Sequence, residues 1–143
     1  MRLTAPARLK KTGIYIDNHS KSLVIGEAII DIMSTMSIMK KNGVDYETHN
    51  YFSMQGNNLA GVKERLTQLH DPPITQVVMV VDNDKTGDKY RTEIRSILKE
   101  CGFEGNIFDR RPKGNDFNDD LKAMNEPANR APPPPAPPEP EID

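Results

Sequence analysis

Cysteine is almost absent: the 143 residues contain one, Cys101. A disulfide framework within the chain is excluded, and so is a zinc module built on two to four thiolates. Tryptophan is missing altogether. No apolar run approaches the roughly 18–20 residues of a membrane span, and no signal-peptide core follows the start. A reduced, cytoplasmic compartment is the expectation. An excess of one charge is lacking too, with 19 Lys+Arg against 21 Asp+Glu and a formal net charge of −2. Bulk charge alone therefore gives no ground for a nucleic-acid partner. The length suits one domain of about 100–150 residues.

Proline is present but unevenly spread. Seven of the twelve prolines lie between Pro132 and Asp143. Proline lacks the donor N–H of a helix or ladder, so residues 126–143 are predicted to be a disordered, Pro-rich acidic tail. Such a tail is a solvated end, a linker, or a ligand for a proline-binding groove. The first twelve residues lean the other way: Arg2, Arg8, Lys10 and Lys11 meet no acid before Asp17. They read as a basic segment ahead of the domain at 13–125.

Within 13–125, strand and helix patterns alternate. Gly13–Ile16, Ser22–Ile25, Asn50–Ser53, Val77–Val81 and Asn106–Phe108 read as strands. Five apolar residues in a row at Val77–Val81 indicate burial on both faces, as inside a parallel sheet. A helix is predicted after Glu27, with Ile29, Ile30, Met33, Met36 and Met39 facing inward and Asn42-Gly43 ending it. A second runs from Leu59 to Leu69, with apolar residues at 59, 62, 66 and 69, before Asp71-Pro-Pro73. A third spans Thr86–Cys101, with Cys101 closing its apolar stripe. A fourth covers Asp116–Met124. The fold class is α/β, a mainly parallel sheet of about four strands flanked by helices on both faces.

In an open α/β sheet, chemistry lies outside the carboxyl ends of the strands. Acids fall there three times: Glu27 after the first long strand, Asp82 and Asp84 after the second apolar run, and Asp116 and Asp119 after Arg110-Arg-Pro-Lys-Gly114. Converging carboxylates repel unless a cation joins them. Hard oxygen ligands suit Mg²⁺, with Mn²⁺ an alternative, and such an ion bridges to phosphate oxygens. His19, His49, His70 and Cys101 show no ligand spacing, which gives no zinc site and leaves them as surface or core residues.

The string Asp82-Asn-Asp-Lys-Thr-Gly87 has several readings. Asp82–Glu93 nearly fits a calcium loop, but Thr86 stands at its fifth position and a strand, not a helix, precedes it. Asp82-x-Asp84-x-Thr86 also resembles the nucleophile motif of haloacid-dehalogenase-type phosphatases, which need further motifs well downstream. A third reading is helix capping by Asp84 or Thr86. Capping explains one acid and leaves Glu27 without a role.

Four segments together carry a wider resemblance: Leu23-Val-Ile-Gly-Glu-Ala-Ile-Ile-Asp31, Tyr51-Phe-Ser-Met-Gln-Gly56, Val80-Val-Asp-Asn-Asp-Lys-Thr-Gly87 and Lys113-Gly-Asn-Asp-Phe-Asn-Asp119. In this order they resemble a Toprim domain over about residues 13–124. That module is shared by bacterial-type primases, type IA and II topoisomerases, overcoming-lysogenization-defect nucleases and recombination mediators. The chain is most similar to the primase-like form of phages, plasmids and mobile elements. The resemblance implies a Rossmann-like Toprim fold and metal-assisted phosphoryl or nucleotidyl transfer on DNA or RNA. Nucleotides and a helicase or other replication protein are implied partners, and a membrane is not.

It also implies residue roles. Glu27, Asp82 and Asp84 would be catalytic. The metal set would be Glu27, Asp82, Asp84, Asp116 and, less closely matched, Asp119. Asp31, one helical turn beyond Glu27, would orient the first motif, with Gly56 and Gly87 supporting the turns. Lys85, Lys89, Arg91, Arg110, Arg111 and Lys113 would hold phosphates. Topoisomerase chemistry also needs a nucleophilic Tyr on another domain, and bacterial primases carry a zinc-binding domain and a basic polymerase subdomain. None of these is recognisable in this chain. The alternatives are a non-catalytic, DNA-binding or scaffolding Toprim protein, and the phosphatase.

Overall fold

A computed structural model describes residues 13–125. The expectations for the basic segment 1–12 and the Pro-rich tail 126–143 fall outside the described residues. The order of elements is β1 (Ile14–Ile16), β2 (Ser22–Gly26), α1 (Ile29–Lys41), a short 3-10 turn (Tyr46–Thr48), β3 (Asn50–Ser53), α2 (Leu59–Thr67), β4 (Gln76–Met79), α3 (Lys85–Glu100), β5 (Asn106–Asp109) and α4 (Phe117–Asn125). None of these helices is long and apolar enough to cross a membrane.

The five strands form one sheet in the order β1-β3-β2-β4-β5. The pairs β3/β2, β2/β4 and β4/β5 are parallel. Only β1 runs antiparallel, with Ile14 opposite Ser53. The short Gly13–Ile16 pattern is thus realised and brings the sheet to five strands. Every residue of β2 and β3 is buried, as continuous apolar strands inside a parallel sheet require.

Alternation along the strands divides the core. Leu23, Ile25, Phe52, Val77 and Met79 face one side, where α2 contributes Val62 and α3 contributes Tyr90, Ile94 and Leu98. Val24, Tyr51, Val78 and Val80 face the other, against Ile32 of α1 and Phe117 of α4. Two helices therefore cover each face, as βαβ crossovers dictate. The ladder of β4 stops at Met79, yet Val80 and Val81 stay buried as the chain leaves the sheet.

Helix phases differ from the expectation in two places. In α1, Ile30 and Met33 are 53% and 55% exposed, while Asp31, Ile32 and Ser34 turn inward. Ile29 and Met36 pack on the core as expected and Met39 meets the Tyr51 hydroxyl, so only Ile30 and Met33 depart from the predicted face. Ser34 Oγ sits 3.3 Å from Asn118 Oδ1 across the contact of α1 with α4. In α2, the helix ends at Thr67 and Leu69 is fully exposed, because Gln68 already has extended backbone angles. Cys101 caps α3 and is half-buried at the end of its stripe.

A candidate metal centre at the carboxyl edge of the sheet

The strands β2, β4 and β5 are parallel neighbours, so the segments that follow them share one edge. Glu27 lies in the turn after β2. One of its oxygens, Oε1, accepts from the Asp82 backbone N–H at 2.9 Å, which ties that turn to the one after β4. The segment after β3 braces the same turn. Met54 N–H donates to the Gly26 carbonyl, and Gly56 N–H donates to the Glu27 carbonyl at 3.0 Å. Gln55 Oε1 accepts from Ile29 N–H at 3.1 Å, so it caps α1 where Ala28 offers no side-chain acceptor. The Gly56 backbone has φ +97°, a left-handed conformation that suits glycine.

One carboxylate oxygen each from Asp31, Asp82 and Asp116 lies within 4.8 Å of the others. Asp31 arrives from the first turn of α1, Asp82 from the exit of β4, and Asp116 from the residue just before α4. Four buried side-chain polar atoms lack a hydrogen-bond partner among the described residues, and two of them are Asp31 Oδ1 and Asp82 Oδ1. A buried polar atom left unpaired costs about 1–3 kcal/mol. Here two such atoms belong to carboxyl groups of the same close group.

The electrostatics follow. Burial pushes the Asp82 carboxyl up to about 7, and the charges of Glu27, Asp31, Asp116 and Asp84 push in the same direction. Burial likewise raises Asp31 to about 6, helped by Asp116, Glu27 and Asp119, while the Asn118 backbone N–H pulls the other way. Desolvation and like charge both disfavour the ionised form. A divalent cation would remove both penalties, and oxygen-only ligands with orphaned lone pairs suit a hard ion.

The other sequence-predicted residues fall in several places. Asp84 caps α3, its Oδ1 accepting from Gly87 N–H at 2.8 Å, as the capping reading expected of one acid. Gly87 is needed for a reason other than turn conformation: a Cβ there would overlap the Asp82 carbonyl oxygen. Asp116 caps α4 by accepting from Asp119 N–H at 2.8 Å. Asp119 itself is exposed and lies outside the close group, near enough only to raise Asp31. Asp120 has a role the sequence did not suggest. It accepts from Lys113 N–H and Gly114 N–H, both at 2.7 Å, and so folds the loop before α4.

Among the bases, Lys85, Lys89, Arg110 and Lys113 are exposed. Arg111 pairs with Asp109 and Asp88 at 3.2 and 3.3 Å. Arg91 departs from its expected phosphate role. It is 4% exposed and donates to Asp109 Oδ1 at 2.7 Å, Asp88 Oδ1 at 3.0 Å and the Val81 carbonyl at 2.9 Å. It anchors the end of β4 from beneath.

The residue that sequence reasoning underrated is Asp31. The resemblance gives it the role of orienting Glu27, yet it is a member of the close triad. Its spacing of four from Glu27 was the available signal. Neither the curated proteins nor the solved structures include a match to this chain. The family profile for Toprim-like domains matches residues 24–121. That span opens in β2, closes in α4 and contains every acid of the cluster. Domains of this family bind divalent metal through acidic residues and act on nucleic acids. A parallel sheet that gathers unpaired carboxylates at its carboxyl edge is what that description requires, and the chain belongs to the Toprim-like family.

Proposed function

We propose that residues 13–125 form a Mg²⁺-dependent nucleic-acid enzyme module, the Toprim catalytic domain of a DNA primase-like or mobile-element replication protein. The observation that carries the reading is the meeting of Asp31, Asp82 and Asp116 within 4.8 Å, two of them with orphaned oxygens. The reaction is phosphoryl or nucleotidyl transfer on DNA or RNA in the cytoplasm, with nucleotides and a helicase among its partners. Mn²⁺ would serve in place of Mg²⁺.

Asp31, Asp82 and Asp116 would hold the ion, with Glu27, Asp84 and Asp119 bordering it. When bound, the ion supplies Lewis-acid polarisation of a phosphate oxygen. Glu27 fixes the Asp82 backbone through one oxygen and keeps the other uncommitted for a proton or a ligand. Arg91 and Gly87 keep the exit of β4 pressed against α3, so that Asp82 is held without adjustment. Lys85, Lys89, Arg110 and Lys113 offer cations to a phosphate backbone.

The test is substitution with retained shape. Asp82→Asn and Glu27→Gln should each abolish primer synthesis or strand cleavage while circular dichroism stays native and the melting temperature is no lower. Full activity in both would overturn the proposal. Trapping of a phospho-aspartate analogue at Asp82 by fluoroberyllate would instead favour the phosphatase reading.

A further inference from the structure

The face of the sheet covered by α1 and α4 is incompletely covered near β5. A cavity of about 450 Å³ opens there, in the size range of ligand pockets. Its apolar wall includes Val24, Ile38, Val78, Phe108 and Phe117, and Arg110 and Arg111 stand at its rim. Phe108, on the edge strand β5, is 40% exposed and leaves an aromatic ring open to the cavity. Arg111 is already paired with Asp88 and Asp109, whereas Arg110 makes no ion pair among the described residues. The site therefore presents an apolar, aromatic slot beside an uncommitted cation.

Two stretches of this chain lie outside the described residues, and charge and topology choose between them. Residues 1–12 carry Arg2, Arg8, Lys10 and Lys11 and lead into β1, at the far edge of the sheet. Like charge speaks against them, since their bases would meet Arg110 and Arg111. Residues 126–143 follow α4, whose first residue, Phe117, lines the cavity. They end in Pro132-Pro-Pro-Pro-Ala-Pro-Pro-Glu-Pro-Glu-Ile-Asp143. The nine residues of α4 rise about 13 Å. A six-residue stretch such as 126–131 can span at most roughly 20 Å, at about 3.3 Å per residue, which is enough to return past the length of α4. Proline-rich segments dock in aromatic-lined grooves at low entropic cost. The negative charges of Glu139, Glu141 and Asp143 are opposite to those of Arg110 and Arg111 and complement them.

We propose that this cavity is the docking site of the chain's own acidic, proline-rich segment, residues 132–143. The docked segment sets its carboxylates against Arg110. Under the proposed function that cation serves nucleic-acid phosphates, so docking and nucleic-acid binding compete. The docking itself does not depend on that reading.

The test uses the full chain with Cys101→Ser and Ala136→Cys, carrying a nitroxide at position 136. Signals of Val24, Val78, Phe108 and Phe117 should lose more than half their intensity, while Ile14 on the β1 edge keeps its own. Pro134→Ser with Pro137→Ser, which alters only the segment, should return the lost intensity. So should Arg110→Glu, and adding Glu139→Lys and Glu141→Lys to it should bring the loss back. Undiminished cavity signals would overturn the proposal, as would losses centred elsewhere. Losses that appear only on untagged chains mixed with tagged ones would assign the cavity to a second copy and overturn it too.

Discussion

Two groups of charged side chains sit within a few residues of each other and have opposite characters. Beneath β4, Arg91 is surrounded by Asp88, Asp109 and the Val81 carbonyl, and Arg111 closes the same network. Its buried guanidinium is matched by oxygens at hydrogen-bond distance. At the carboxyl edge, Glu27, Asp31, Asp82 and Asp116 gather with no base among them, and two of their oxygens lack partners. The first group stabilises the fold as it stands. The second is held together by backbone and packing against its own repulsion. Charge that a fold leaves uncompensated inside its interior points to a partner from outside.

The comparison is broken most strongly on the paired side. Arg91→Met should cost about 3–5 kcal/mol in urea unfolding, because Asp109 and the Val81 carbonyl lose a buried cation. A loss under about 1 kcal/mol would show that the network is ornamental. Gly87→Ala comes next, at about 1–3 kcal/mol, since the new methyl overlaps the Asp82 carbonyl. Its amide spectrum should shift around residues 82–88 and little elsewhere.

On the unpaired side the effect depends on pH. The folded-state carboxyls of Asp31 and Asp82 lie at about 6 and about 7, above their ordinary value. Raised carboxyl values stabilise the fold in acid, and that contribution is lost as pH rises through them. The metal-free melting temperature should therefore fall between about pH 4 and about pH 7, and saturating Mg²⁺ should remove the fall. A metal-free melting curve that is flat or rising over this window would contradict the account. The smallest effect is expected at Asp84→Ser. Serine keeps the cap on α3, so stability should change by less than about 0.5 kcal/mol. Any larger loss of divalent-ion affinity would then belong to the missing carboxylate.

Most of the sheet was legible because its strands are short, apolar and bounded by turn residues. The Val77–Val81 run and the acids that follow it fixed both the inner strand and the edge where the site lies. The helices were legible in extent but less so in rotation. Placing Ile30 and Met33 inward follows from counting apolar residues, whereas α1 is turned by its contact with α4 and by the acidic group it serves. That rotation buries an aspartate, which a hydrophobic pattern cannot anticipate. The same blindness hid Gln55 as the cap of α1 and Asp120 as the organiser of the last loop, since both act on backbone groups distant in sequence. Arg91 looked like one of several surface bases. Only the approach of β5 to α3 reveals it as buried.

The central claim is that the acidic edge is a divalent-cation site whose third ligand is Asp31. Titration of Mg²⁺ into the intact chain at pH 8, followed by amide NMR, tests it directly. The account predicts saturable shifts confined to residues near 27–31, 82–88 and 116–119. It also predicts at least a tenfold loss of affinity in Asp31→Asn, with the metal-free fold no less stable. Absence of saturable binding, or an unchanged affinity in Asp31→Asn, would contradict it.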